Sequence, residues 1–255
     1  MIMKRLMFMP VFVGSLLWCA SVRADESIGL VLSLEGAAVA TDTNGTARVL
    51  ELRAKIFLND IITTGVKSKV EILFRDDTRF SQGENSEMTV DQYVYNPGKK
   101  DENKFGAKLK RGIFRTITGK IPLVNQDGFT VKTSRSTIGI RGCELGFFTG
   151  GGEDKILIIT NAPGRQIVIG TPENPQGQMF DRPCVVTVGG GGSLRITELD
   201  SGQIDQLYRE TASQGSGSQK TGVGAGGGWN GQGRSYDSIK QWVAPGDKDL
   251  PATGV

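Results

Sequence analysis

Two groups of acids lie close enough along the chain to suggest general acid–base chemistry: Asp76 with Asp77, and Glu84 with Glu87. A glycoside hydrolase works with two carboxylates flanking the bond it cuts. Both groups fall among turn residues, where carboxylates are commonly solvated, so the sequence predicts turns here and no catalytic residue. Bound Ca²⁺ would need the oxygen-rich repeat of a dedicated loop, which these acids do not form. The chain has no histidine at all. That removes every His-assisted nucleophile, the usual proton shuttle near neutral pH, and most zinc or copper sites. Gly150-Gly151-Gly152 and Gly189–Gly192 lead into no Lys-Ser/Thr pair and no helix, so they read as turns and not as phosphate loops. The expectation is a protein without catalytic residues, cofactor or metal.

Two further sets of residues carry chemistry of other kinds. Lys104, Lys108, Lys110, Arg111, Arg115 and Lys120 form a stretch from 104 to 120 with no acid. It suits an anionic partner such as lipid headgroups, lipopolysaccharide or cell-wall polymer, or it is a solvated strand face. Cys143 and Cys184 are the cysteines left once an N-terminal leader containing Cys19 is removed. They allow one pairing, and an exported compartment permits it. The other reading, a reactive thiol, lacks a neighbouring imidazole to lower its pKa. The expected bridge closes a loop of 40 intervening residues, which on loop entropy stabilises by roughly 3–4 kcal/mol.

The leader is read from Met1–Ala24: Lys4 and Arg5, then an apolar run, then Val22 and Ala24 at small-residue positions before Asp25. This order is that of a signal peptide cleaved after Ala24, and the apolar run is short for a span of ~20 residues. The expected location is the periplasm or beyond, with no membrane span after cleavage. Lys4, Arg5 and Arg23 leave with the leader, so 30 Lys+Arg become 27 against 27 Asp+Glu. A formally neutral chain lacks the basic excess of a duplex binder, and nucleic acid is excluded as a partner.

The elements that must position these residues are strands. Ile28–Leu34, Lys69–Phe74, Glu87–Tyr95, Gly112–Thr118, Phe129–Thr133, Lys155–Thr160, Gln166–Ile169 and Val185–Val188 are short, rich in β-branched and aromatic residues, and separated by turn sequences such as Asn44-Gly45 and Asn96-Pro97-Gly98. No helical period precedes residue 198. Asp200 with Gln203 then resembles a capping box, and Ile204, Leu207 and Tyr208 share one helical face. Gln214–Gln232 is Gly/Ser-rich and predicts a flexible tail. In that tail Tyr236, Ile239, Trp242 and Val243 recur at helical spacing, which reads either as a short segment that docks onto the domain or onto a partner, or as a tail that merely retains a few aromatics; the role of Trp229 is left open. The expected organisation is a signal peptide over 1–24, one all-β domain over 25–212 with a short closing helix, and a tail over 213–255.

Several blocks, in order, resemble the FecR domain. Asn59-Asp60-Ile61-Ile62-Thr63-Thr64-Gly65 through Ser68-Lys69-Val70 leads into Phe74-Arg75-Asp76-Asp77-Thr78, and Gly83, Asn85 and Ser86 follow. Gly112-Ile113-Phe114-Arg115 with Thr118-Gly119-Lys120, then Val131-Lys132-Thr133, then Ile138-Gly139-Ile140-Arg141-Gly142 complete the series. The residues read as the family signature are Asp60, Thr63, Gly65, Ser68, Asp76, Asn85, Gly119, Gly139, Arg141 and Gly142. Glycines there suit turns with positive φ or close chain approach, and Asp60, Thr63, Ser68 and Asn85 suit bonds to nearby main chain. Arg141, between two glycines, reads as a clamp on carbonyls or a carboxylate. This chain departs from the pattern with Asn59 and Asp77 at glycine positions, Ser134 for Pro, and Cys143 for Thr. The resemblance implies a roll or solenoid-like stack of short strands that binds and does not catalyse. It implies a protein partner in envelope signalling or assembly; an envelope glycan is the alternative. The domain follows the leader directly, so the family's transcription control is not carried over.

Overall fold

The computed structural model describes residues 26–161 and 164–213. The expected leader, Ala162, Pro163 and the expected tail lie outside the described residues. The first strands are β1 (Gly29–Glu35), β2 (Ala38–Thr41), β3 (Ala47–Val49), β4 (Lys55–Ile56) and β5 (Ile61–Thr64). They continue as β6 (Lys69–Phe74), β7 (Arg79–Gln82), β8 (Glu87–Val94) and the long β9 (Lys104–Ile117). After a one-turn helix, α1 (Ile121–Val124), come β10 (Phe129–Lys132), β11 (Thr137–Ile140), β12 (Cys143–Thr149) and β13 (Asp154–Asn161). The chain closes with β14 (Ile167–Gly170), β15 (Gln178–Phe180), β16 (Cys184–Val188), β17 (Leu194–Thr197) and the helix α2 (Ser201–Thr211). The all-β expectation holds, and so does the closing helix.

These strands form two sheets. Sheet A runs β4-β1-β6-β7-β9-β12-β13-β16-β17, and sheet B runs β3-β2-β5-β8-β9-β10-β11-β14-β15. All pairs are antiparallel except β9 with β10. Only β9 belongs to both sheets: its first part pairs with β8 and β10, and its last with β7 and β12. The change of sheet happens at Gly112, whose φ is +117°. A Cβ there would run into the Ser86 hydroxyl, which instead accepts a bond from the Ile113 N–H at 3.1 Å.

Alternation explains which side chains face inward. On β6, Val70, Ile72 and Phe74 are buried between the sheets, as period 2 requires. On β8, strict alternation from Met88 and Val90 would turn Gln92 inward. A register shift between Val90 and Gln92 turns Tyr93 inward instead. There Tyr93, Phe74, Phe80 and Phe129 surround Phe105, which stacks on Phe129 with centroids 4.3 Å apart and meets Phe74 edge-on at 5.0 Å. Truncating one such fully buried ring costs about 3–5 kcal/mol.

α2 crosses the outer face of sheet A. Its start carries the predicted reciprocal cap: Asp200 accepts from the Gln203 N–H at 2.8 Å, and Gln203 accepts from the Asp200 N–H at 3.1 Å. Leu207 packs with Leu157, Ile159 and Val185 in a second, smaller core. Gly146 floors this contact, because a Cβ there would overlap Leu207. At the far end the Lys69 ammonium donates to the Arg209 carbonyl at 2.6 Å, and Ser213 meets Ser33 of β1 at 2.5 Å.

The predicted disulfide is corrected. Cys143 and Cys184 are both free thiols. Cys143 lies opposite Asn161 and Cys184 opposite Ile158, so β13 separates the two. Two strand spacings come to about 10 Å, beyond the ~7 Å that a disulfide tolerates between Cα atoms. Burial raises the pKa of both thiols, which keeps them protonated and unreactive.

Candidate functional site

Several of the signature residues fix turns at strand ends. Asp60, buried between β4 and β5, accepts both guanidinium nitrogens of Arg48 and the Phe57 N–H at 2.7 Å. Its hydrogen bond holds the Arg48 pKa above that of a free arginine against the lowering effect of burial. Arg48 also lies over the Phe57 ring at 5.1 Å. Ser68 accepts from the Ala37 N–H at 2.9 Å and donates to the Val66 carbonyl at 3.0 Å. Thr63 faces outward on sheet B. Asn59, Asp77 and Asn85 adopt φ of 67°, 66° and 51°, the left-handed geometry that Asn and Asp tolerate among non-glycine residues.

Asp76 differs from its expectation. It is not a solvated turn carboxylate but is fully buried. Thr78 donates its hydroxyl to it at 2.7 Å and the Tyr93 hydroxyl lies at 3.3 Å. Burial pushes its carboxyl above the ordinary range, against the lowering effect of these bonds and one from the Ile121 N–H. Gly119 belongs to the same node: its N–H reaches the Thr78 hydroxyl at 2.9 Å, and a Cβ would overlap the Asp76 carbonyl. Gly142 needs its glycine for a φ of +115°. Gly65 and Gly139 have neither positive φ nor a close approach. Arg141 pairs with the exposed Asp127 at 2.8 Å. The clamp on carbonyls belongs to Arg165, which donates to Pro122 at 2.7 Å and to Arg141 at 3.0 Å.

The basic run divides between two environments. Arg115 is corrected from surface to interior, being 6% exposed. It points to the outer side of sheet A, but α2 covers it. There it meets Glu144 at 2.7 Å, with the Tyr208 ring 4.5 Å from the guanidinium carbon. Tyr208 donates its hydroxyl to Glu144 at 2.6 Å. Burial disfavours the Arg115 cation, but Glu144, Tyr208 and the nearby buried Glu71 outweigh it, and its pKa stands above that of a free arginine. Sequence reading missed Glu144 and Tyr208 as partners; the signal available was the helical face that had to land somewhere.

Four of the remaining five cations are matched on the surface. On the outer side of sheet B, Lys108 pairs with Asp91 at 2.8 Å, Lys110 with Glu87 at 2.8 Å, and Arg111 with Glu87 at 3.6 Å. Lys120 pairs with Asp77 at 2.7 Å. Lys104 is exposed at the start of β9. Around these pairs lie Thr63, Thr89 and Thr130, with Ile61 exposed among them. No described helix covers this face of sheet B. Among the described residues, no three His, Cys, Asp or Glu side chains gather as a metal-holding group, and no helix is long and apolar enough to cross a membrane.

With this geometry in place, comparison with known proteins gives three findings. The family described as FecR protein matches residues 60–161. A solved structure described as a cell surface anchoring domain is 34% identical, over 24% of this chain and 82% of that one, with a TM-score of 0.24. A candidate anti-sigma factor from Parabacteroides distasonis ATCC 8503 is 11% identical, over 57% of this chain and 62% of that one, with a TM-score of 0.44. This chain therefore spans less than two thirds of the latter. Among curated proteins none matches.

Proposed function

The chain carries a FecR domain over residues 60–161, and from that premise we propose that it is an exported, non-catalytic module that binds a protein partner in envelope signalling or assembly. The observation that carries this reading is the charge pattern on the outer face of sheet B. Lys108, Lys110 and Arg111 each stand beside Asp91 or Glu87. A polyanion gains most from unmatched cations that release its counterions. Alternating signs held in strand register complement another mixed surface and reject wrong ones. The proposed location is the periplasm, with the leader removed after Ala24. Binding of envelope glycan is the second reading, favoured by the exposed Lys104 and Lys132 near the same face.

A photo-crosslinking residue at Ile61, exposed on this face, tests the proposal in intact cells. One discrete protein adduct is expected, weakened when Glu87→Lys reverses the local pattern. Absence of any protein adduct, with retention of the purified protein on isolated peptidoglycan, would replace the protein partner with the glycan.

A further inference from the structure

α2 leaves part of the outer face of sheet A open. Beside it, Ile113, Phe148 and Leu157 form the floor of a groove of about 350 Å³, with Gln203 and Gln206 of α2 on one wall. Ile113 and Phe148 are half-buried and adjoin the small core of Leu157, Ile159, Val185 and Leu207. A second amphipathic segment laid along α2 would extend an existing core instead of starting a new one. Glu153 and Lys155 also line the groove, giving it one charge of each sign.

The chain beyond Ser213 contains a segment of matching chemistry. Tyr236, Ile239, Trp242 and Val243 recur at helical spacing, flanked by Asp237 and Lys240. We infer that residues 235–243 dock in this groove within the same molecule. α2 carries the chain away from the groove only between Gln206 and Ser213, about 10 Å at 1.5 Å per residue. Residues 214–234 are enough chain to span up to about 70 Å when fully extended. Return is therefore within range, and the covalent connection raises the effective concentration of the segment at the groove. A segment too short to hold a helix alone then needs only modest intrinsic affinity. The inference stands independently of which partner the FecR domain binds.

Tryptophan placement makes this measurable. The chain has three tryptophans, at 18, 229 and 242, so Trp18→Phe with Trp229→Phe in the full chain leaves Trp242 as the sole indole. Its emission is expected to be blue-shifted from that of the unfolded chain and several-fold less quenched by acrylamide, with neither property changing on dilution. Gln206→Phe, at an exposed position of α2, fills the groove without touching the core, and circular dichroism checks that this variant is folded. Trp242 should then become as quenchable as in the unfolded chain, and Ile239→Asp should do the same from the tail. A solvent-exposed Trp242 in the parent overturns the inference. Protection that survives Gln206→Phe overturns it too, as does protection that fades on dilution, which would assign the groove to a second copy's tail.

Discussion

Replacing Arg115 by Leu keeps much of its packing volume beneath α2 but removes the cation between Glu144 and Tyr208. Glu144, whose side chain is 15% exposed, then keeps the Tyr208 hydroxyl at 2.6 Å as a donor. Breaking a buried ion pair from one side costs about 3–5 kcal/mol, because the other charge stays uncompensated. Glu144→Leu leaves Arg115 buried with only Glu71 and the Tyr208 ring as favourable neighbours and should cost a similar amount. The double variant removes both charges, so its loss should fall short of the sum of the singles by about 1–3 kcal/mol. In thermal melting, at 2–4 °C per kcal/mol for a domain of this size, each single should lower Tm by about 6–20 °C. Hydrogen exchange should locate the weakening in α2 before the sheets. Additivity within about 0.5 kcal/mol would mean that the two charges do not interact through a low-dielectric contact, and the reading of α2 as a lid over a buried pair would be wrong.

The Asp76 carboxyl has a raised folded pKa, so the native state holds its proton more tightly than the unfolded chain does. Its contribution to stability is full below the unfolded pKa of ~3.9 and is lost as pH rises through the folded value; urea midpoints at pH 4.5 and 7 should show this loss in the parent and not in Asp76→Asn. The signature glycines separate into two classes: Gly119→Ala should destabilise by about 2 kcal/mol or more, while Gly139→Ala should stay within about 0.5 kcal/mol, as read from denaturant midpoints. Thiol titration of the unreduced, unfolded chain should detect both Cys143 and Cys184, and reductant should leave Tm unchanged; a dependence on reductant would restore the disulfide.

Much of the fold is legible in the residues where alternation is long enough to count. β6 and β13 lie within a residue of their expected bounds. Strands of two or three residues, such as β3, β4 and β15, show too little period to be read at all. β9 illustrates a different limit. Phe105, Ala107 and Leu109 alternate with Lys108 and Lys110, but the eye follows the lysines and takes them for a patch. Their neutralisation depends on Glu87 and Asp91, which only strand pairing brings near. Arg115 obeys the period and points out of the sheet; its burial comes from a helix nearly a hundred residues later. Asp76 looks like any turn acid until Tyr93 closes over it. Residues defined by local geometry, such as Asn59 and Asp77, were readable because left-handed turns restrict residue type without help from distant chain.

The sharing of β9 has a mechanical consequence. The strands before it and those after it meet along one continuous backbone run, hydrogen-bonded on both edges and turning a corner at Gly112. A pull that separates the N-terminal strands from the C-terminal ones must shear that run out of two layers together. It therefore loads many bonds in parallel and cannot unzip them singly.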